Sequence, residues 1–146
     1  MKFNDLLQDV FDEGTEEYNI IKDTYDLITD NVPSIAAECK TNLILLDNCR
    51  VKLATLYYQL GRSISRAYEG VQQTHDQMYM RLVKLGRPSK EAIESEIRAT
   101  NPEYSGVSKK VSLLEEVRNL VSMYMRCVDS RKQTTTELLR NINRID

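Results

Sequence analysis

Between Arg50 and Lys90 the chain carries Arg50, Lys52, Arg62, Arg66, Arg81, Lys84, Arg87 and Lys90, interleaved with Tyr57, Tyr58, Tyr68 and Tyr79. Cations beside aromatic rings suit a single strand of nucleic acid: phosphates pair with Lys and Arg and release counterions, while unstacked bases lie on aromatic faces. On a continuous helix Lys52, Thr55, Gln59, Arg62 and Arg66 share an arc about 80° wide at 100° per residue. Leu46, Leu53, Leu56, Leu60 and Ile64 take the opposite side. Lys52, Arg62 and Arg66 are therefore the candidate phosphate contacts, supported by Arg50, with Tyr58 as the stacking ring, since Tyr57 points to the apolar arc. The same stretch also fits arginines that are merely solvated and tyrosines half-buried in a core.

Other candidate chemistry is thinner. Gly86-Arg87-Pro88-Ser89-Lys90 has the Gly and Lys of a phosphate loop without its G-x-x-x-x-G-K-[ST] frame or a preceding strand. Glu94/Glu96 and Glu115/Glu116 lie near Arg98 and Arg118, which suits exposed ion pairs better than acid–base work. His75, the one histidine, has no partner at the spacing a nucleophile or base needs and is expected to be exposed. Met78, Met80, Met123 and Met125 read as core or as a plastic interface. Cys39, Cys49 and Cys127 form no C-x-x-C pair, which points to reduced thiols, and with one histidine a Cys/His metal site is not expected. No constellation for catalysis is present, and no cofactor is expected.

The elements that would position these residues are helices. Glycine and proline are scarce (5 and 3), Trp is absent, and 29% of residues are charged. Apolar residues recur three or four apart in nearly every window. Phe3, Leu6, Leu7, Val10 and Phe11 make a short amphipathic helix ending near Gly14. Tyr18, Ile21, Tyr25 and Ile28 make an acidic one that stops at Asn31. A stripe from Ile35 through Cys39, Leu43, Leu46, Leu53, Tyr57 and Leu60 to Ile64 predicts a long helix, with Gly61 a possible break and 61–90 either helix or loop. Ser89 can cap a short helix over 90–99.

From Asn101 to Asp146 the pattern is longest. Pro102 suits a first helical position, and no glycine or proline follows Gly106. Val107, Val111, Leu114, Val117, Val121, Tyr124, Val128, Leu138, Ile142 and Ile145 trace one stripe. As a single helix, 103–143 would span about 60 Å. That is more than a compact domain of this length needs, so part of the stripe is expected to meet a partner surface. The run Arg131 to Glu137, with three threonines, is the expected place for a kink or a second helix start.

Charge is unevenly spread. Residues 1–31 hold nine acids against Lys2 and Lys22, whereas 32–146 hold eighteen Lys/Arg against thirteen acids. An acidic leader on a basic body suggests an anionic partner for the body. No stretch is apolar enough for a membrane span or a signal peptide, so the expected setting is soluble and cytoplasmic.

Three blocks resemble the UvsY family, the recombination mediators of tailed phages. These are Met1-Lys2-Phe3-Asn4-Asp5-Leu6, then Lys52-Leu53-Ala54-Thr55-Leu56-Tyr57-Tyr58-Gln59-Leu60-Gly61. The third is Glu94-Ser95-Glu96-Ile97 leading through Asn101-Pro102-Glu103-Tyr104 to Asp129-Ser130-Arg131. The family usually has a second basic residue two after the lysine, where Ala54 stands here. Only Lys52 therefore carries over directly, and Arg50 and Arg62 are chosen on physical grounds. The resemblance implies a protein that binds single-stranded DNA and helps a RecA-like recombinase replace single-strand-binding protein on it. It also implies a ring-like homo-oligomer built through the C-terminal helices, without active site or cofactor, in the cytoplasm of the host cell.

The resulting expectation is an all-α fold of elongated helical hairpins with a long C-terminal oligomerisation helix. An acidic segment over 1–31 would precede a helical body over 32–146, with the basic segment at 50–90 and the assembly helix at 102–146. Val111, Leu114, Val117, Val121, Tyr124 and Val128 are the expected assembly residues. The alternative is a non-enzymatic helical-bundle phage protein of structural, assembly or host-interaction type.

Overall fold

The periodic runs become helices, and the turns between them are built from capping residues. The computed structural model describes residues 7–8, 10–86, 89–100 and 102–145, with side chains for all of these except 100, 102–108 and 145. Among the described residues the long elements are α1 (Glu16–Thr29), α2 (Ala36–Lys84), α3 (Lys90–Thr100) and α4 (Pro102–Ile145), with no strand. The fold is all-α. Of the first predicted helix, residues 1–6 and 9 lie outside the described set; Leu7 is buried and its carbonyl accepts from the Phe11 N–H at 2.7 Å.

Local chemistry sets the ends. Gly14 turns the chain at φ +87°, a conformation that L side chains rarely adopt. Thr15 then caps α1, its hydroxyl accepting from the Tyr18 N–H at 3.3 Å, with Glu16 and Glu17 in the positive first turn. Arg81 and Lys84 sit in the last turn of α2, where cations suit the helix dipole, and Gly86 reverses the chain at φ +77°. Ser89 accepts from the Ala92 N–H at 3.1 Å and starts α3.

The chain divides into two compact units, Met1–Gln59 with Val117–Asp146, and Leu60–Glu116. The acidic segment thus shares a unit with both the start of α2 and the end of α4. In this first unit α2 and α4 run antiparallel. Asn42 meets Thr135 at 3.5 Å, Asp47 pairs with Lys132 at 2.5 Å, Arg50 pairs with Asp129 at 3.0 Å, and Tyr57 lies under Arg118. Helix α1 runs parallel to α4: the Tyr25 and Tyr124 rings are 6.5 Å apart, and the Arg131 guanidinium donates to the Asp30 carbonyl at 2.6 Å. Tyr18 and Ile21, then Cys39, Leu46, Leu53 and Leu56, then Val117, Val121, Tyr124 and Val128 form the core of the three helices. Two hydroxyls inside it, Thr24 and Thr135, donate to the carbonyls four residues back at 2.8 Å, so neither is left unsatisfied.

The second unit contains the end of α2, all of α3 and the start of α4. Leu82, Ile93 and Ile97 pack together with Met78 and Tyr79 against them, folding α3 back along α2 around Gly86. Leu60, Ile64, Val111 and Leu114 are buried as well.

Two alternatives left open by the sequence are decided locally. Residues 61–84 are helix, and neither Gly61 nor Gly70 interrupts it. A helical glycine costs about 1 kcal/mol relative to Ala, less than burial of one leucine contributes, and α2 has a leucine stripe on its inner side. The threonines of 134–136 likewise start no second helix. Each hydroxyl donates to the carbonyl four residues earlier, at 3.1, 2.8 and 2.8 Å, within an uninterrupted α4.

Candidate nucleic-acid interface

Helix α2 has a dry side and a wet side, and the cations divide accordingly. Leu46, Leu53, Leu56, Leu60 and Ile64 are all at most 7% exposed. Opposite them in the first unit, Lys52, Thr55 and Gln59 are exposed and Tyr58 is 73% exposed. In the second unit Arg62 and Arg66 are exposed on the same helix. None of Lys52, Arg62 and Arg66 has an ion-pair partner among the described residues.

The two adjacent tyrosines separate as the helical period requires. Tyr57 is half-buried, and the Arg118 guanidinium carbon stands 4.2 Å from its ring centroid. The Arg118 Nε is buried without a hydrogen-bond partner, so the π face provides its electrostatic contact. Tyr58 meets Tyr57 edge-on at 6.3 Å and leaves its outer face to solvent. That geometry leaves a ring on which a base can stack.

Arg50 does not belong with this set. Its Nε donates to Asp129 Oδ1 at 3.0 Å and its Nη1 lies 3.0 Å from Met125 Sδ, so it fastens α2 to α4. The reason is angular: Arg50 lies about 160° around the helix from Lys52 at 100° per residue. Its partner arrives from 79 residues away, beyond the reach of a local pattern.

The six expected assembly residues lie inside the single chain. Val111, Leu114, Val117, Val121, Tyr124 and Val128 are between 0 and 8% exposed within the single chain. The stripe is buried within the single chain, Val111 and Leu114 in the second unit and Val117, Val121, Tyr124 and Val128 in the first. Burial pushes the Tyr124 hydroxyl pKa well up from 10.0, with Tyr25 and Cys127 adding to the effect.

Two features went unread in the sequence. Ile44 and Val51 are 63% and 67% exposed, seven residues apart and seven before Tyr58; that spacing, on the arc opposite the leucines, was the available signal. His75 is not a loose surface residue. Its Nε2 is 2.8 Å from Glu94 Oε1, its Nδ1 3.3 Å from Asp76 Oδ1, and its ring stacks at 5.9 Å on Tyr79. Folding the sequence back about Gly86 would have paired it with Glu94.

Farther along α2, Arg81 and Lys84 line an open groove of about 610 Å³ with Asp76, Gln77, Met80 and Leu85. Among the described residues no group of three or more His, Cys, Asp or Glu side chains is arranged to hold a metal ion, and no helix is long and apolar enough to cross a membrane. Comparison with protein-family models, with curated proteins and with solved structures finds no match to this chain. The likeness to phage recombination mediators therefore rests on the three blocks quoted above.

Proposed function

We propose that the chain is a non-enzymatic accessory protein that binds single-stranded DNA and promotes loading of a RecA-like recombinase in place of single-strand-binding protein, in the cytoplasm of a phage-infected host. The observation that carries the DNA part is the outer side of α2 in the first unit, where Tyr58 is 73% exposed and Lys52 is exposed with no ion-pair partner among the described residues. Arg62 and Arg66 are exposed cations of the second unit that serve the same reading. Such cations take phosphates without regard to sequence, and a free ring stacks any base. Arg50 has a secondary part, since it must leave Asp129 to reach a phosphate. The recombinase and single-strand-binding-protein roles rest on the family resemblance. Several copies acting together would convert modest single-site affinity into avidity, through surfaces other than the buried α4 stripe.

A fluorescence-anisotropy titration with labelled single strands tests this reading. Binding should be present at low salt and weaken steeply as salt rises, and Lys52→Ala with Arg66→Ala should weaken it by about 10-fold or more. Tyr58→Ala should cost about 1–3 kcal/mol of affinity for each base it stacks. No binding at low salt, or equal binding by the double variant, sinks the proposal.

The exposed Ile44 and Val51 favour a second reading, in which the same helix side meets a protein and the chain is a helical interaction module. Failure of the DNA titration would leave that reading in place.

A further inference from the structure

The outer side of α2 carries a seam of its own, within the first unit. Ala37, Ile44, Val51 and Tyr58 recur every seventh residue, and Thr41, Asn48 and Thr55 stand four after one and three before the next. All seven are exposed, although Ile44, Val51 and Tyr58 are large and apolar. Alternating steps of four and three are the spacing by which one helix packs along another. The leucine seam of α2 already faces the interior, so the helix has two seams and the core covers one.

The charges flanking the outer seam indicate what covers it. We propose that a second copy of this chain docks there, α2 against α2 and antiparallel, with the two-fold axis beside Ile44. That axis sets Ile44 on its own mate and the small Ala37 opposite the larger Val51. On one flank it brings Glu38 of one copy level with Lys52 of the other, within about one turn of helix. On the other flank Lys40 comes level with Asp47, and the symmetry doubles both pairs. All four charged residues are exposed; Asp47, which already holds Lys132 of its own chain, keeps a side chain 60% exposed. A parallel pair would set Asp47 against Lys52 but leave Glu38 against Pro33 and Lys40 against Leu45, so it matches half as many charges as the antiparallel pair. The pairing is isologous, so it closes at two copies. Polar Thr41, Asn48 and Thr55 inside the seam fix the register and keep the dimer weak.

The dimer does not depend on the proposed DNA binding, but Lys52 and Tyr58 belong to both surfaces, so the test reads mass in the absence of nucleic acid. Sedimentation of the full chain at low salt should show a monomer–dimer equilibrium with a Kd of roughly micromolar order. Glu38→Lys alone, or Lys52→Glu alone, should weaken it by about 10-fold, and the two reversals together should restore it to within about threefold. Ile44→Asp should give monomers whose helical content is unchanged, because the residue it replaces lies outside the core. A wild-type chain that stays monomeric at several hundred micromolar overturns the proposal. So do single reversals that the double reversal does not rescue, and an Ile44→Asp chain of unaltered mass.

Discussion

His75 stands between two carboxylates, Glu94 across the α2–α3 hairpin and Asp76 beside it, with only 19% of its side chain exposed. Only the imidazolium donates from both nitrogens at once. The hydrogen bond to Glu94 is the largest cause raising its pKa above 6.5, Asp76 adds to it, and partial desolvation opposes both. A raised folded-state value means that the native chain holds this proton more tightly than the unfolded chain does. Its contribution to stability is therefore complete below about 6.5 and disappears as pH climbs through the raised value. Thermal unfolding followed by circular dichroism should show the midpoint falling as pH rises above that point. His75→Gln should flatten this part of the profile, and an equal pH dependence in that variant would exclude the bridge as its cause. Tyr68 behaves as the matching case on a surface: its hydroxyl donates to Glu115 at 2.7 Å, and that bond is the main reason its pKa rises. At this scale the sequence was readable wherever the helical period decided the outcome, as with Tyr57 in and Tyr58 out. It was unreadable where a partner came from another helix, as for Arg50, Arg118 and His75.

Helices α2 and α4 owe their length to packing more than to propensity, and substitutions at their special positions should separate the two. Gly70 lies inside α2 with nothing within 4 Å of where a Cβ would sit. Gly70→Ala should therefore raise stability by about 0.5–1 kcal/mol. Gly86 has equal space around it, but its φ of +77° penalises any L side chain. Gly86→Ala should lower stability by about 1 kcal/mol through backbone strain alone. Paired chemical-denaturation curves check both, and the opposite signs at two uncrowded glycines are the informative result. In α4, Val121 is 0% exposed, so Val121→Ala should cost about 2 kcal/mol as a core truncation. The same variant should leave the mass in solution unchanged; loss of an oligomer without loss of stability would return the stripe to an assembly role. The leucine stripe of α2 and the extent of α4 were legible because each repeats over many turns. The continuity through Gly61, Gly70 and the threonines was not, since it depends on what the opposing helices bury.

For the molecule as a whole, electrostatics gives the sharpest test. Each phosphate neutralised on a single strand contributes about −0.7 to the slope of log K against log salt. Removing Lys52 and Arg66 together should make that slope shallower by about 1.4, a readout that a merely misfolded variant would not produce. The acidic N-terminal segment, read from the sequence as a leader apart from the body, shares a compact unit with the last thirty residues, Val117–Asp146. No run of neighbouring residues announces that arrangement, because it is made by contacts such as Arg131 with Asp30, 101 residues apart. It also has a consequence for the order in which the chain becomes structured. The unit Leu60–Glu116 is one unbroken stretch, so all its parts exist once residue 116 has been made. The other unit lacks one of its three helices until the last thirty residues follow, a delay of a few seconds at about 5–20 residues per second. During that interval the first unit's share of the leucine seam of α2 and the inner side of α1 lack the part of α4 beyond residue 116, and the newly made protein is at its stickiest.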